Sequence, residues 1–110
     1  MTTTTALITG ASRGIGREVA RRLAAESWRV LSGVRDPKSA PPGTQAEIVD
    51  MGDPTSIDAL ARRLRAQNRR LDALVNNAGV YRRPARQTWD VNVLGPLRLT
   101  RALELGAVVS

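Results

Sequence analysis

The residues best suited to chemistry form one loop, Thr9-Gly10-Ala11-Ser12-Arg13-Gly14-Ile15-Gly16, with glycines in a G-x-x-x-G-x-G pattern. Gly10 permits a tight turn, while Gly14 and Gly16 let backbone and helix come close together. A helix opening there would aim free amides and its positive dipole end at an anion such as a pyrophosphate. A tight strand-to-helix turn needs similar glycines, so the loop alone does not decide between ligand and turn. Other polar candidates lie further along: Arg35, Asp50 followed by Met51, Asn76-Asn77-Ala78-Gly79, and Asn92 within Val91-Asn92-Val93. Two residue types that often carry chemistry are missing. With Cys 0 and His 0, thiolate metal sites, disulfides, cysteine nucleophiles, Ser-His-Asp hydrolysis and histidine-ligated metals are all excluded. No metal site is expected.

The elements that must position these groups alternate. Ala6–Thr9 is a short apolar run of the kind a buried parallel strand uses. A helical pattern follows, with Ile15, Val19, Ala20, Leu23 and Ala24 on one face and Arg17, Glu18, Arg21 and Arg22 largely on the other. Arg29–Arg35 reads as a second strand, and Asp36-Pro37 and Ala40-Pro41-Pro42-Gly43 as a loop. Ala46–Met51 is the third strand. Asp53-Pro54 starts a helix, with Asp as N-cap, whose buried stripe is Ile57, Leu60, Ala61 and Leu64. Leu71–Val75 is a fourth strand. Thr88 to Leu105 is helical with a bend at Gly95-Pro96, and Ala107–Val109 begins a fifth strand. Such alternation builds right-handed βαβ units and a parallel sheet.

Taken in order, Thr9–Gly16, Asp50, Asn76–Gly79 and Val91–Val93 resemble the short-chain dehydrogenase/reductase family, from Ala6 to about Leu103. The resemblance implies an α/β, Rossmann-like doubly wound parallel sheet of strand order 3-2-1-4, with a fifth strand beside the fourth. It also implies roles. Gly10, Gly14 and Gly16 shape the phosphate loop, and Ser12, Arg13 and Ile15 line its phosphate side. Asp50 and Met51 flank adenine, the carboxylate accepting from the exocyclic amine. Asn77, Ala78 and Gly79 pass beneath the ribose, and Asn92 supports a water-linked proton relay to the catalytic lysine. Each also has a plainer reading: Asp50 capping the loop before Gly52, Asn76 and Asn77 as turn formers, Asn92 steadying a kink. At the end of strand two, the position that selects the cofactor falls by family comparison on Val34, followed by Arg35 and with Arg13 nearby. This favours NADP over NAD, since two guanidinium groups can grip a phosphate dianion. Asp36 argues the other way, because a one-residue shift would put a carboxylate at the ribose.

The family's catalytic tyrosine is followed four residues later by lysine. Here the only tyrosine, Tyr81, is followed four residues on by Ala85, and the only lysine is Lys38. Ser110 is either an ordinary chain end or a displaced match for the family's serine. The expectation is therefore a single, incomplete NAD(P)-binding domain over residues 1–110, truncated after strand four or five and inactive alone. Its parent activity would be hydride transfer between NADPH and a carbonyl or alcohol substrate. The alternative is a non-catalytic nucleotide-binding or interaction module. The net charge of +7 comes almost wholly from arginines. Arg62, Arg63, Arg65, Arg69 and Arg70 read as a solvated helix face rather than a nucleic-acid site, because aromatics are not interleaved with them. No leader and no membrane span is legible in the sequence, so a cytoplasmic protein is expected. An open sheet edge leads us to expect a homo-oligomer.

Overall fold

In the computed structural model, residues 4–67, 71–77, 98–99, 103 and 108–109 are described. The order is β1 (Thr5–Thr9), α1 (Gly14–Ala25), β2 (Arg29–Val34), a 3-10 turn (Pro37–Ser39), β3 (Gln45–Ile48), α2 (Pro54–Ala66), β4 (Ala73–Val75) and β5 (Val108–Val109). The strands form one sheet in the order β3-β2-β1-β4-β5, and every pairing is parallel. This is the expected doubly wound arrangement, fifth strand included.

The sheet's core follows from strand periodicity. Successive side chains of a strand point to opposite faces. Leu7 registers with Leu31 on one side and Leu74 on the other. These three leucines pack with Ile57, Leu60 and Leu64 of α2, together with Val49, Met51, Leu71 and Leu99. One residue on, Ile8 belongs to a second cluster with Val30 and Val34, against which Val19, Leu23 and Ala24 of α1 pack. The two helices thus cover opposite faces. β1 is buried at every residue, as its unbroken apolar run requires.

Helix ends are fixed as their residues dictate. Asp53 caps α2 by accepting from the Thr55 amide at 3.0 Å, with Pro54 in the first turn. α1 stops in a Schellman arrangement: the Ser27 amide donates to Ala24 O and the Trp28 amide to Leu23 O, with Ser27 at φ 69°.

Several expected boundaries shift. β3 leaves the sheet at Ile48 instead of Met51; the Val49 amide still reaches Val34 O at 2.9 Å, after which the Asp50 amide turns to Ser56 Oγ at 2.8 Å. β2 stops at Val34, one residue early. β4 begins at Ala73 because Asp72 is occupied with the head of β1, its carboxylate accepting from the Thr5 amide at 2.7 Å. Of the helix expected from Thr88 to Leu105, Arg98, Leu99 and Leu103 are helical, and the Gly95-Pro96 bend lies outside the described residues. No helix among the described residues is long and apolar enough to cross a membrane.

Candidate functional site

The glycine loop lies at the C-terminal ends of the central strands, where β1 gives way to α1. Its base is a hydrogen-bonded latch. Thr9, fully buried, donates through Oγ1 to Val75 O at 3.3 Å and accepts from the Asn77 amide at 3.1 Å. Asn77 Nδ2 in turn donates to Gly10 O at 3.2 Å. On the other side, the Gly10 amide donates to Gly33 O at 3.1 Å. The loop is thus tied to both neighbours of β1. Asn77, expected as a site residue or a turn former, holds the loop from below.

The glycines divide the work differently from the sequence reading. Gly16 is the point of close approach: a Cβ there would collide with the Asn77 side-chain amide and Gly10 O. A Cβ on Gly14 would meet nothing within 4 Å, and its φ of +61° is a left-handed conformation that glycine adopts without penalty. The rim around it is open. Ser12, Arg13 and Gly14 are exposed, and Ile15 is 77% exposed. Ile15 therefore does not belong to the packed face of α1, where Gly16 and Ala20 are buried and Val19, Leu23 and Ala24 are half-buried. The first turn of α1 buries Gly16 and leaves Ile15 in the open, and the helical period of Ile15 with Val19 and Leu23 gave no sign of this.

At that turn Arg13 is the N-cap residue, yet it makes no side-chain cap, and the first turn holds no acidic residue. The first amides of a helix have no intrahelical partner, so α1 offers donors and a positive dipole end outward. These features fit a pyrophosphate: open space at Gly14, uncapped amides, and an exposed arginine beside them.

The rest of the rim comes from the neighbouring strands. β2 ends on buried Val34, followed by exposed Arg35. Beyond β3, Asp50 is exposed, and one of its oxygens accepts from the Gly52 amide at 2.9 Å. The loop-capping reading of Asp50 is therefore realised, and Oδ2 is the oxygen left for another donor. Met51 is 5% exposed and its side chain sits in the core beneath α2. Any contact it makes with a ligand runs through its backbone. Asn76 has a buried Oδ1 with no hydrogen-bond partner among the described residues. Ala78, Gly79 and Asn92, and also Tyr81, lie outside the described residues. Among the described residues no group of His, Cys, Asp or Glu could hold a metal ion.

Sequence reasoning passed over Thr9 as a structural donor and acceptor. The available signal was a threonine ending a buried strand, since a buried hydroxyl needs partners. It also read the arginines of α2 as one solvated face. Arg62 and Arg65 are exposed, but Arg63 folds back onto β3, donating to Ile48 O at 2.8 Å and pairing with Glu47 at 3.7 Å. Arg69 and Arg70 lie outside the described residues.

Comparison with known proteins gives a consistent result. A family model described as short chain dehydrogenase matches residues 4–104. Retinol dehydrogenase 12 of Mus musculus is 38% identical over 88% of this chain and 37% of its own length. Among solved structures, a short-chain dehydrogenase from Streptomyces avermitilis superposes with a TM-score of 0.84 at 32% identity, over 94% of this chain and 44% of that one. A metagenomic short-chain oxidoreductase in complex with NADP does so with a TM-score of 0.83 at 31% identity, over 92% of this chain and 54% of that one. The chain thus spans about half or less of the length of the relatives it matches.

Proposed function

Because this chain belongs to the short-chain dehydrogenase/reductase family and corresponds to its N-terminal region, we propose that it binds the adenosine and pyrophosphate half of NADP(H). The observation that carries this reading is the open, uncapped first turn of α1, with Gly14 facing empty space and Arg13 beside it. The α1 amides and Ser12 hold the pyrophosphate, and Ile15 covers it from the exposed side. Arg13 and Arg35 grip a phosphate on the adenosine ribose. Val34 supplies no carboxylate to repel that phosphate. Asp50, through its remaining oxygen, and the Met51 backbone border adenine. By family resemblance, Asn77, Ala78 and Gly79 pass beneath the ribose and Asn92 belongs to the proton relay. The metagenomic relative with NADP bound supports this choice of cofactor.

When bound, the nicotinamide would give a hydride to a carbonyl in its reduced form or take one from an alcohol in its oxidised form. This chain's own share is to fix the cofactor and to shield its phosphates.

Titrating wild type and Arg35→Ala with NADPH and NADH tests the reading. Wild type should prefer NADPH. The variant should lose roughly tenfold or more in NADPH affinity with NADH unchanged, since hydrogen bonds to charged groups contribute about 1.5–3 kcal/mol. Equal affinities in the wild type would sink the assignment.

A further inference from the structure

The acid that clouds the cofactor choice, Asp36, has a job of its own. Its Oδ1 accepts from the Lys38 amide at 2.9 Å, capping the Pro37–Ser39 turn. Its carbonyl accepts from Ser39 Oγ at 2.6 Å and from the Ser39 amide at 3.0 Å. The far end of the turn is held from α1, where Arg17 Nη1 donates to Ser39 O at 3.5 Å. Arg17 follows the N-cap Arg13 closely, its own amide donating to Arg13 O at 3.4 Å. The turn is therefore closed on itself by Asp36 and moored to α1 by Arg17. Arg35, immediately before it, is exposed and forms no ion pair among the described residues. Where its guanidinium can reach thus depends on the backbone that this turn fixes.

We propose that Asp36 and Arg17 are positioning residues which hold the Pro37–Ser39 turn and thereby set how strongly the site prefers a phosphate over a hydroxyl on the adenosine ribose. The proposal rests on the cofactor reading above and deepens it. Neither side chain needs to touch the cofactor; both act through Arg35. On this view Asp36 is not a ribose-binding acid, and its removal should weaken NADP selectivity, the opposite of what a repelling carboxylate would give.

The charge and the cap can be separated. Asp36→Asn keeps an acceptor suited to capping and removes the charge; Asp36→Ala removes both. Affinities for NADPH, NADH and ADP-ribose are measured by titration for these variants, for Arg17→Ala and Arg17→Lys, and for the Asp36→Ala/Arg17→Ala double variant. Asp36→Asn should keep or raise the NADPH-to-NADH preference. Asp36→Ala should fall below Asp36→Asn by about three- to tenfold, the range expected from loss of a cap. Arg17→Ala should fall comparably, and Arg17→Lys should recover part of the loss. Because both residues act through one turn, the double variant should lose less than the product of the single effects. ADP-ribose, which lacks the discriminating phosphate, should bind all variants alike, which separates a lost preference from a lost fold. If Asp36→Ala and Asp36→Asn raise the preference equally and Arg17→Ala leaves it unchanged, the positioning roles are wrong while the cofactor reading stands. If wild type shows no preference for NADPH, the cofactor reading falls and takes this proposal with it.

Discussion

A methyl group would do different damage at the two glycines that flank Ile15. At Gly16 it would meet the Asn77 side chain and Gly10 O, both part of the latch beneath the loop. Gly16→Ala should therefore act on the fold, lowering stability by about 1–3 kcal/mol, the usual cost of overpacking. At Gly14 there is space, but φ +61° makes any side chain strained by about 1–2 kcal/mol. The added carbon would also stand where the pyrophosphate is proposed to lie. Gly14→Ala should thus bind NADPH at least roughly tenfold more weakly, a loss of about 1.4 kcal/mol, while thermal melting still shows a cooperative fold. Were it to melt lower yet bind NADPH like wild type, the loop would be a turn and not a site. A separate expectation concerns turnover. Tyr81 is not followed by a lysine four residues on, and no histidine can stand in. Assays of the chain with NADPH and a panel of aldehydes, ketones and quinones should match the protein-free blank; oxidation of NADPH that disappears in Tyr81→Phe would refute this.

Helix α1 ends on an imperfect residue. The Schellman motif needs a left-handed residue at its turn, and Ser27 fills that place at φ 69° where glycine is the usual occupant. Ser27→Gly should raise unfolding free energy by about 1 kcal/mol, read as a higher denaturation midpoint with an unchanged slope. A lower midpoint would mean that the serine side chain contributes more than its backbone costs. This motif was not legible in the sequence, because Glu26-Ser27 lacks the glycine that marks such stops. What could be read was whatever depended on apolar period or on proline. The Asp53-Pro54 start of α2 and its stripe Ile57, Leu60, Ala61 and Leu64 were clear for that reason. The strand order was legible from the alternation of elements. Strand ends were not, since they are set by contacts between distant segments, such as Asp72 with Thr5 and Asp50 with Ser56. The site divides along the same line. The glycines could be picked out by spacing and Arg13 only through the family resemblance, whereas Ile15 followed the helical period and yet lies in the open.

At the scale of the whole molecule, the two margins of the sheet differ. β3 is an edge strand with Ile48 half-exposed, but Arg63 occupies the Ile48 carbonyl and holds Glu47 nearby. Charged side chains of this kind discourage edge-to-edge pairing. β5 forms the opposite margin, paired on one side with β4 and with no other described strand. We expect the chain to self-associate through that margin; sedimentation velocity over a range of concentrations should show species larger than a monomer, and a single monomeric boundary throughout would contradict it. The latch beneath the glycine loop carries a consequence for biosynthesis. Thr9 and Asn77 are joined by a hydrogen bond spanning 68 positions, and Gly10 and Asn77 by one spanning 67. The loop is translated early, yet what holds its shape arrives much later. On the ribosome the glycine segment would be tied on the β2 side alone, through Gly10 and Gly33, until β4 and Asn77 had cleared the exit tunnel and closed that long span. A nascent chain stalled before that point should bind a dinucleotide more weakly than the released chain, which would place firm cofactor loading after β4 has joined the sheet.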